Sequence, residues 1–76
     1  MAEDKIEELP WQYGGATIGD ARLAISRLRP EVGQLGGQGD DDFFYFEIGG
    51  ERIAEARLIV RGPGNSFWEI RVAKRP

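Results

Sequence analysis

The sequence predicts an α+β domain in which one helix packs on a three-stranded antiparallel β-meander. Residues 43–74 contain three segments of alternating apolar and polar residues, separated by glycine-containing turns, as expected for strands with one buried face. Residues 17–29 instead carry apolar side chains at helical spacing. A length of 76 residues suits one small domain, so we expect a single domain over residues 1–76.

The N-terminal segment is mostly charged, and we expect a frayed acidic tail over residues 1–9. A secretory signal peptide is not expected, because such a peptide has a basic start followed by an apolar run. Residues 11–13 follow Pro10 and alternate between aromatic and polar side chains. They predict a short additional strand at an edge of the sheet, where a preceding proline is tolerated.

The helix is predicted over about residues 17–29. Thr17 is a favourable N-cap residue, and Asp20 stands three positions later, as in a capping box. Pro30 disfavours helical geometry at Arg29, so the helix should end there. One apolar stripe should face the sheet, and it consists of Ile18, Ala21, Ile25 and Leu28.

A glycine-rich segment connects the helix to the sheet. Four of the seven residues 33–39 are glycine, and the three aspartates Asp40, Asp41 and Asp42 follow. Because glycine restricts the backbone little, we expect a flexible loop over residues 33–42.

Three strands are predicted, over about residues 43–48, 52–61 and 67–74. Successive side chains of a strand point to opposite faces, so alternate positions form one core-facing set. This set consists of Phe44, Phe46, Ile48, Ala54, Ala56, Leu58, Val60, Trp68, Ile70 and Val72.

Both hairpin loops must be odd in length to bring this set onto one face. A three-residue first loop pairs Phe46 with Ala54. A five-residue second loop pairs Val60 with Trp68. The small side chains of Ala54 and Ala56 then leave room for the helix to approach the sheet.

The opposite face of the sheet has more apolar side chains than a solvent-facing surface requires. The expected register aligns Phe43, Arg57 and Arg71 in one row across the strands. Two interpretations stay open: the N-terminal segment with Trp11 and Tyr13 covers this face, or the face binds a partner or a second copy of the chain. The candidate binding residues of this face are Phe43, Tyr45, Arg57, Ile59, Phe67 and Arg71.

Catalytic chemistry has little support in the composition. The chain has no histidine and no cysteine, and its few hydroxyl groups have no evident neighbouring base, which nucleophilic catalysis requires. Asp40 to Asp42 are consecutive and do not easily converge on one cation. A phosphate-binding loop would need a lysine and a helix after its glycines. We therefore expect no enzyme, no metal site and no cofactor.

The acidic residues favour a binding function instead. Glu31, Asp40, Asp41 and Asp42 lie in a stretch without basic residues, and the net charge is −3. Carboxylates can take the place of phosphates in the basic groove of a nucleic-acid-handling protein. The leading hypothesis is a small non-enzymatic inhibitor that occupies such a protein, as is typical of small phage-encoded inhibitors, including anti-CRISPR proteins.

Two alternative functions stay open. In the first, the chain is a structural subunit, monomer or homodimer, that associates through the outer sheet face. In the second, the aromatic and arginine side chains of that face stack on single-stranded nucleic acid, although the net charge, Glu55 and Glu69 disfavour this. A cytoplasmic protein without membrane contact is expected, because the chain has no cysteine and no apolar run of transmembrane length.

Overall fold

A computed structural model of the chain describes residues 5–73. The elements in chain order are a first 3₁₀ helix (Ile6–Glu8), β1 (Gln12–Gly15), α1 (Ile18–Leu28), a second 3₁₀ helix (Pro30–Gln34), β2 (Gln38–Gly39), β3 (Phe43–Ile48), β4 (Glu51–Gly62) and β5 (Asn65–Val72). All five strands pair antiparallel in one sheet, in the order β1-β5-β4-β3-β2. The predicted α+β class is confirmed, but the predicted count of three strands is wrong.

Two edge strands account for the difference in strand count. β1 overlaps the extra strand predicted over residues 11–13 and pairs with β5. β2 lies on the opposite edge and was not predicted, because two residues carry no alternating pattern. Gly39 is required in β2: its φ is 129°, and a Cβ there would lie 2.3 Å from the carbonyl oxygen of Phe43.

Two segments that were expected to be irregular contain regular structure. The frayed tail expected over residues 1–9 needs correction from Ile6 onward, because Ile6 is buried in the first 3₁₀ helix, which contacts β4. Burial of this apolar side chain offsets the entropy of ordering the segment. Residues 1–4 lie outside the described residues. The loop expected over residues 33–42 contains the end of the second 3₁₀ helix and β2.

The helix is capped as predicted. The amide of Asp20 donates to Oγ1 of Thr17 over 3.1 Å, and the amide of Thr17 donates to Oδ2 of Asp20 over 3.3 Å. The buried face is narrower than the predicted stripe, because Ile18 and Leu28 are 38% and 55% exposed. The helix lies mainly against β1 and β5.

The first hairpin has the predicted register up to Phe46, which pairs with Ala54 as expected. Its predicted three-residue loop is wrong: Ile48 pairs with Glu51 across a two-residue turn, and a bulge after Phe46 restores the parity.

The second hairpin has a different register. Trp68 pairs with Leu58 instead of Val60, which is a shift of two residues. The cause is a tighter turn: β4 continues to Gly62, β5 begins at Asn65, and a bulge follows Val60.

A shift of two residues does not exchange the two faces of a strand. The core therefore forms between the helix and the predicted inner set, with the rings of Phe44 and Trp68 5.5 Å apart. Ile48 and Val60 are the exceptions, because they are 42% and 68% exposed, and Val60 pairs with Ser66. Ala54 and Ala56 are fully buried beside these aromatic rings, where larger side chains would not fit.

Candidate partner-binding surfaces

The register of the second hairpin changes the outer face of the sheet. Arg57 lies opposite Glu69, and Arg71 lies opposite Glu55. The predicted row of Phe43, Arg57 and Arg71 is therefore wrong at its third member, and the two arginines do not face each other. Nη2 of Arg57 lies 2.8 Å from Oε1 of Glu69, and Nε of Arg71 lies 2.6 Å from Oε1 of Glu55.

Glu55 is the centre of this charge network. It is 4% exposed and binds two guanidinium groups, because Nη1 of Arg52 donates to its second carboxylate oxygen over 2.8 Å. The hydrogen bond to Glu55 raises the pKa of Arg52 above its ordinary value, although partial burial acts against this shift. Two arginines thus compensate a buried carboxylate that would otherwise be costly to desolvate.

The N-terminal segment covers the middle of the outer face. The guanidinium groups of Arg57 and Arg71 lie over the ring of Trp11, at 4.1 and 4.3 Å from its centroid. Nη1 of Arg71 also donates to the backbone carbonyls of Glu7 and Leu9, over 3.4 Å each. The interpretation that this segment partly covers the face is thus correct for its central arginines.

Two parts of the outer face lie beside this covered centre. On one side, Phe43 and Tyr45 are half-buried, and the guanidinium of Arg52 lies 3.7 Å from the centroid of the Tyr45 ring. On the other side is a group that we call the distal patch. It consists of Tyr13, Ile59, Arg61 and Phe67.

The distal patch is the more exposed of the two parts. Tyr13 is 69% exposed, and its ring centroid lies 5.8 Å from that of Phe67. Arg61 lies over the same ring at 5.6 Å, and Ile59 pairs with Phe67. Tyr13 and Arg61 were not among the candidate binding residues. The pairing of β1 with β5 brings Tyr13 to this patch. The alternation of residues 11–13 was the signal that could have placed Tyr13 there.

Asp40, Asp41 and Asp42 form the connection between β2 and β3, which we call the acidic turn. All three residues are exposed, and none forms an ion pair with a residue in the range 5–73. Their backbone is fixed at both ends: the amide of Asp40 donates to the carbonyl of Phe43 over 2.7 Å, and the carbonyl of Asp42 accepts from Leu58 over 2.9 Å. The carboxylates therefore project from an anchored backbone.

Glu31 does not join the acidic turn. Its Oε2 accepts from Nε of Arg29 over 2.9 Å, and Nη1 of Arg29 donates to the carbonyl of Ala73 over 2.6 Å. The amide of Ala73 in turn donates a hydrogen bond to the carbonyl of Ile53, whereas the acidic turn accepts one from the amide of Leu58. These two anchoring points lie about 16 Å apart along β4. The continuous acidic surface expected from Glu31 and the three aspartates is therefore not formed.

A groove lies on the helix side of the molecule, between α1 and the second 3₁₀ helix. Its volume is about 390 Å³. No sequence pattern indicated it, because one wall comes from a segment that was expected to be a flexible loop. The lining side chains are Arg22, Leu23, Ser26, Val32, Leu35 and Phe46.

The hydroxyl groups near these surfaces have structural roles. Oγ of Ser26 donates to the carbonyl of Leu23, and Oγ1 of Thr17 caps the helix. Within residues 5–73, no three carboxylates come together in a group that could hold a metal ion. No helix in the same range has the length and apolar character needed to cross a membrane.

No protein-family model, curated protein or solved structure matches the chain. The acidic turn, the outer face and the groove are therefore the observations from which a function is inferred.

Proposed function

We propose that the chain is a non-enzymatic binding module that occupies a basic surface of a nucleic-acid-handling protein through the acidic turn. The observation that carries this proposal is the set of three consecutive, exposed carboxylates, Asp40 to Asp42, without a cationic partner among residues 5–73. Other carboxylates of the sheet, such as Glu55 and Glu69, already have arginine partners.

The anchored backbone of the turn favours binding. Two hydrogen bonds join Asp40 and Asp42 to the neighbouring strands, so less conformational entropy is lost when a partner binds. Adjacent like charges also raise the local negative potential, which speeds association with a basic surface and makes it sensitive to salt. A basic groove that normally binds phosphates would accept these carboxylates in their place.

Glu31 is not part of this proposed contact, because it lies at the other end of β4 and is bound to Arg29. The proposed replacement of phosphates by carboxylates is therefore confined to one turn. A module that fills such a groove excludes the nucleic acid and acts as an inhibitor, in the manner proposed above for small phage-encoded inhibitors of the anti-CRISPR type.

The test is retention of a partner by the immobilised full chain from a lysate of the source cells, with nucleic acid as competitor. The informative variant replaces Asp40, Asp41 and Asp42 by Asn together. The matched control replaces the exposed Glu7, Glu8 and Glu51 by Gln, which changes the net charge equally. We expect the control to retain a nucleic-acid-binding protein that duplex DNA displaces, and the Asn variant to lose it. Equal retention by both variants would refute the role of the acidic turn.

Self-association through the outer face is a second candidate function. It is favoured by the distal patch, where the exposed Tyr13 ring lies on Phe67 beside Ile59. Neighbouring positions on β4 provide a matched pair of variants, because Ile59 is on the outer face and Val60 on the inner one. Light scattering measures the oligomeric state. A dimer that Ile59→Asp dissociates and Val60→Asp leaves intact would support this candidate. A monomer at high protein concentration would refute it.

Direct binding of single-stranded nucleic acid has less support. Arg57 and Arg71 are ion-paired with Glu69 and Glu55 and covered by Trp11. These groups would have to exchange their partners before they could stack on bases or neutralise phosphates. Titration of a fluorescent oligonucleotide at low salt tests this, and salt-sensitive binding would revive it.

A further inference from the structure

The groove between α1 and the second 3₁₀ helix has an apolar interior. Leu23 and Leu35 contribute to its walls, together with the buried Val32, and the buried ring of Phe46 also lines it. Its volume of about 390 Å³ is near the lower end of the range for ligand sites. It is an open groove, so an apolar side chain can enter while the rest of its chain stays in solvent.

One cation lies on the lining of this groove. The guanidinium carbon of Arg22 is 4.7 Å from the centroid of the Phe44 ring, which orients the side chain. Within residues 5–73, Arg22 forms no hydrogen bond and no ion pair. Its N–H groups are therefore available to an anionic acceptor, and a guanidinium can bind a carboxylate through two of them.

Gly37 lies where the apolar and charged parts of the groove meet. A Cβ at this position would be 3.4 Å from Cε1 of Phe46 and 3.5 Å from Nη1 of Arg22. These are ordinary van der Waals distances, so a short side chain fits there. A larger one would occupy the space between the ring and the guanidinium, which makes Gly37 a suitable position for a blocking substitution.

We propose that this groove binds a short peptide segment of a partner protein in which a large apolar side chain stands next to a carboxylate. The apolar side chain would contact Leu23, Leu35 and Phe46, and the carboxylate would accept hydrogen bonds from Arg22. A peptide fits better than a free small molecule, because small-molecule sites enclose most of their ligand and an open groove does not. The site is separate from the acidic turn and does not depend on its role.

The test uses three acetylated and amidated tetrapeptides titrated into the ¹⁵N-labelled full chain. The first has aspartate followed by leucine between two glycines, the second has asparagine in place of aspartate, and the third has alanine in place of leucine. We expect saturable shift changes at Arg22, Leu35 and Phe46 with the first peptide. The asparagine and alanine peptides should each bind about five-fold more weakly, through loss of the charge or of the apolar contact.

Variants of the chain decide between the groove and other surfaces. Arg22→Gln should abolish the difference between the aspartate and asparagine peptides, whereas Arg27→Gln, on an exposed position of the same helix, should preserve it. Gly37→Leu should block the binding of all three peptides; if that variant does not fold, Arg22→Gln alone remains decisive.

Four results of these titrations would overturn the proposal. These are the absence of saturable shifts, equal affinity for the aspartate and asparagine peptides, shifts confined to another surface, and a preference for aspartate that survives Arg22→Gln. The protein alone can also be concentrated without peptide. If the chemical shifts of the groove residues then change, a second copy of the chain is the occupant, and the proposal of a peptide site is overturned.

Discussion

The centre of the outer sheet face and the acidic turn both carry dense charge, but they differ in how it is compensated. On the sheet, Glu55 and Glu69 bind arginines of the same surface at 2.6 to 2.8 Å. In the acidic turn, Asp40 to Asp42 have the same sign and no cationic partner among residues 5–73. In the first arrangement the charges compensate one another within the fold, whereas in the second like charges repel one another and are available to a partner.

This difference shows why charge alone does not identify a binding surface. Arg57 and Arg71 stand in the sequence as candidates for contact with a partner. The sheet pairs both with glutamates, and Trp11 covers them. Charges with partners inside the molecule are available to a second molecule only after those partners are exchanged, which reduces the net gain on binding.

The largest expected effect is on the sheet. Glu55→Gln should destabilise the protein by about 3 kcal/mol, because Arg52 and Arg71 would lose the carboxylate that compensates their charge. Urea unfolding followed by tryptophan fluorescence measures this loss. The exposed Glu51 provides the control, and Glu51→Gln should change the stability by less than about 0.5 kcal/mol. A similar small effect of both substitutions would mean that the sheet charges are not compensated as described.

A smaller effect is expected from the backbone that carries the acidic turn. Gly39→Ala should cost about 2 kcal/mol, because φ is 129° and the added Cβ would meet the carbonyl oxygen of Phe43. Gly36→Ala is the matched control, since a Cβ at Gly36 meets no atom within 4 Å. Amide hydrogen exchange at Asp40 would then report whether the turn has lost its hydrogen bond to Phe43. Equal stability of the two variants would show that the turn is not held rigidly.

The smallest expected effect comes from the acidic turn itself. Replacing Asp40, Asp41 and Asp42 by Asn together should stabilise the protein by about 0.5 kcal/mol at low salt, because like charges at adjacent positions repel. At about 1 M salt the gain should vanish, since the screening length is then about 3 Å. A loss of stability in urea unfolding would contradict this, because it would assign the aspartates a structural role like that of Glu55.

The sequence predicted the parts of the fold that local rules determine. Thr17 and Asp20 fixed the start of the helix, and the parity of apolar residues fixed which side of each strand is buried. The second register was not predictable from parity, because a shift of two residues leaves all faces unchanged. It depends on the bulge after Val60 and on the short turn before Asn65. β2 has too few residues to form any pattern.

The candidate surfaces were predictable to a smaller extent. Exposure of the three consecutive aspartates was expected from their composition. The separation of Glu31 from them was not, because it depends on the bond from Arg29 to the distant Ala73. The ion pairs of Arg57 and Arg71 followed from the register alone. The groove was missed because its wall includes Leu35, in a segment whose glycines indicated a flexible loop.

The shortness of the edge strands affects how molecules of this protein meet in concentrated solution. β1 has four residues and β2 has two, so each of these edge strands offers few unpaired backbone groups to a strand of another molecule. The acidic turn adjoins the β2 edge, where its charges repel the same turn of an approaching copy. Long, flat, uncharged edges are templates for open-ended sheet growth. Neither edge strand of this sheet is long, and the β2 edge is next to three charged residues. The carboxylates proposed to recruit a partner would thus also limit aggregation through that edge.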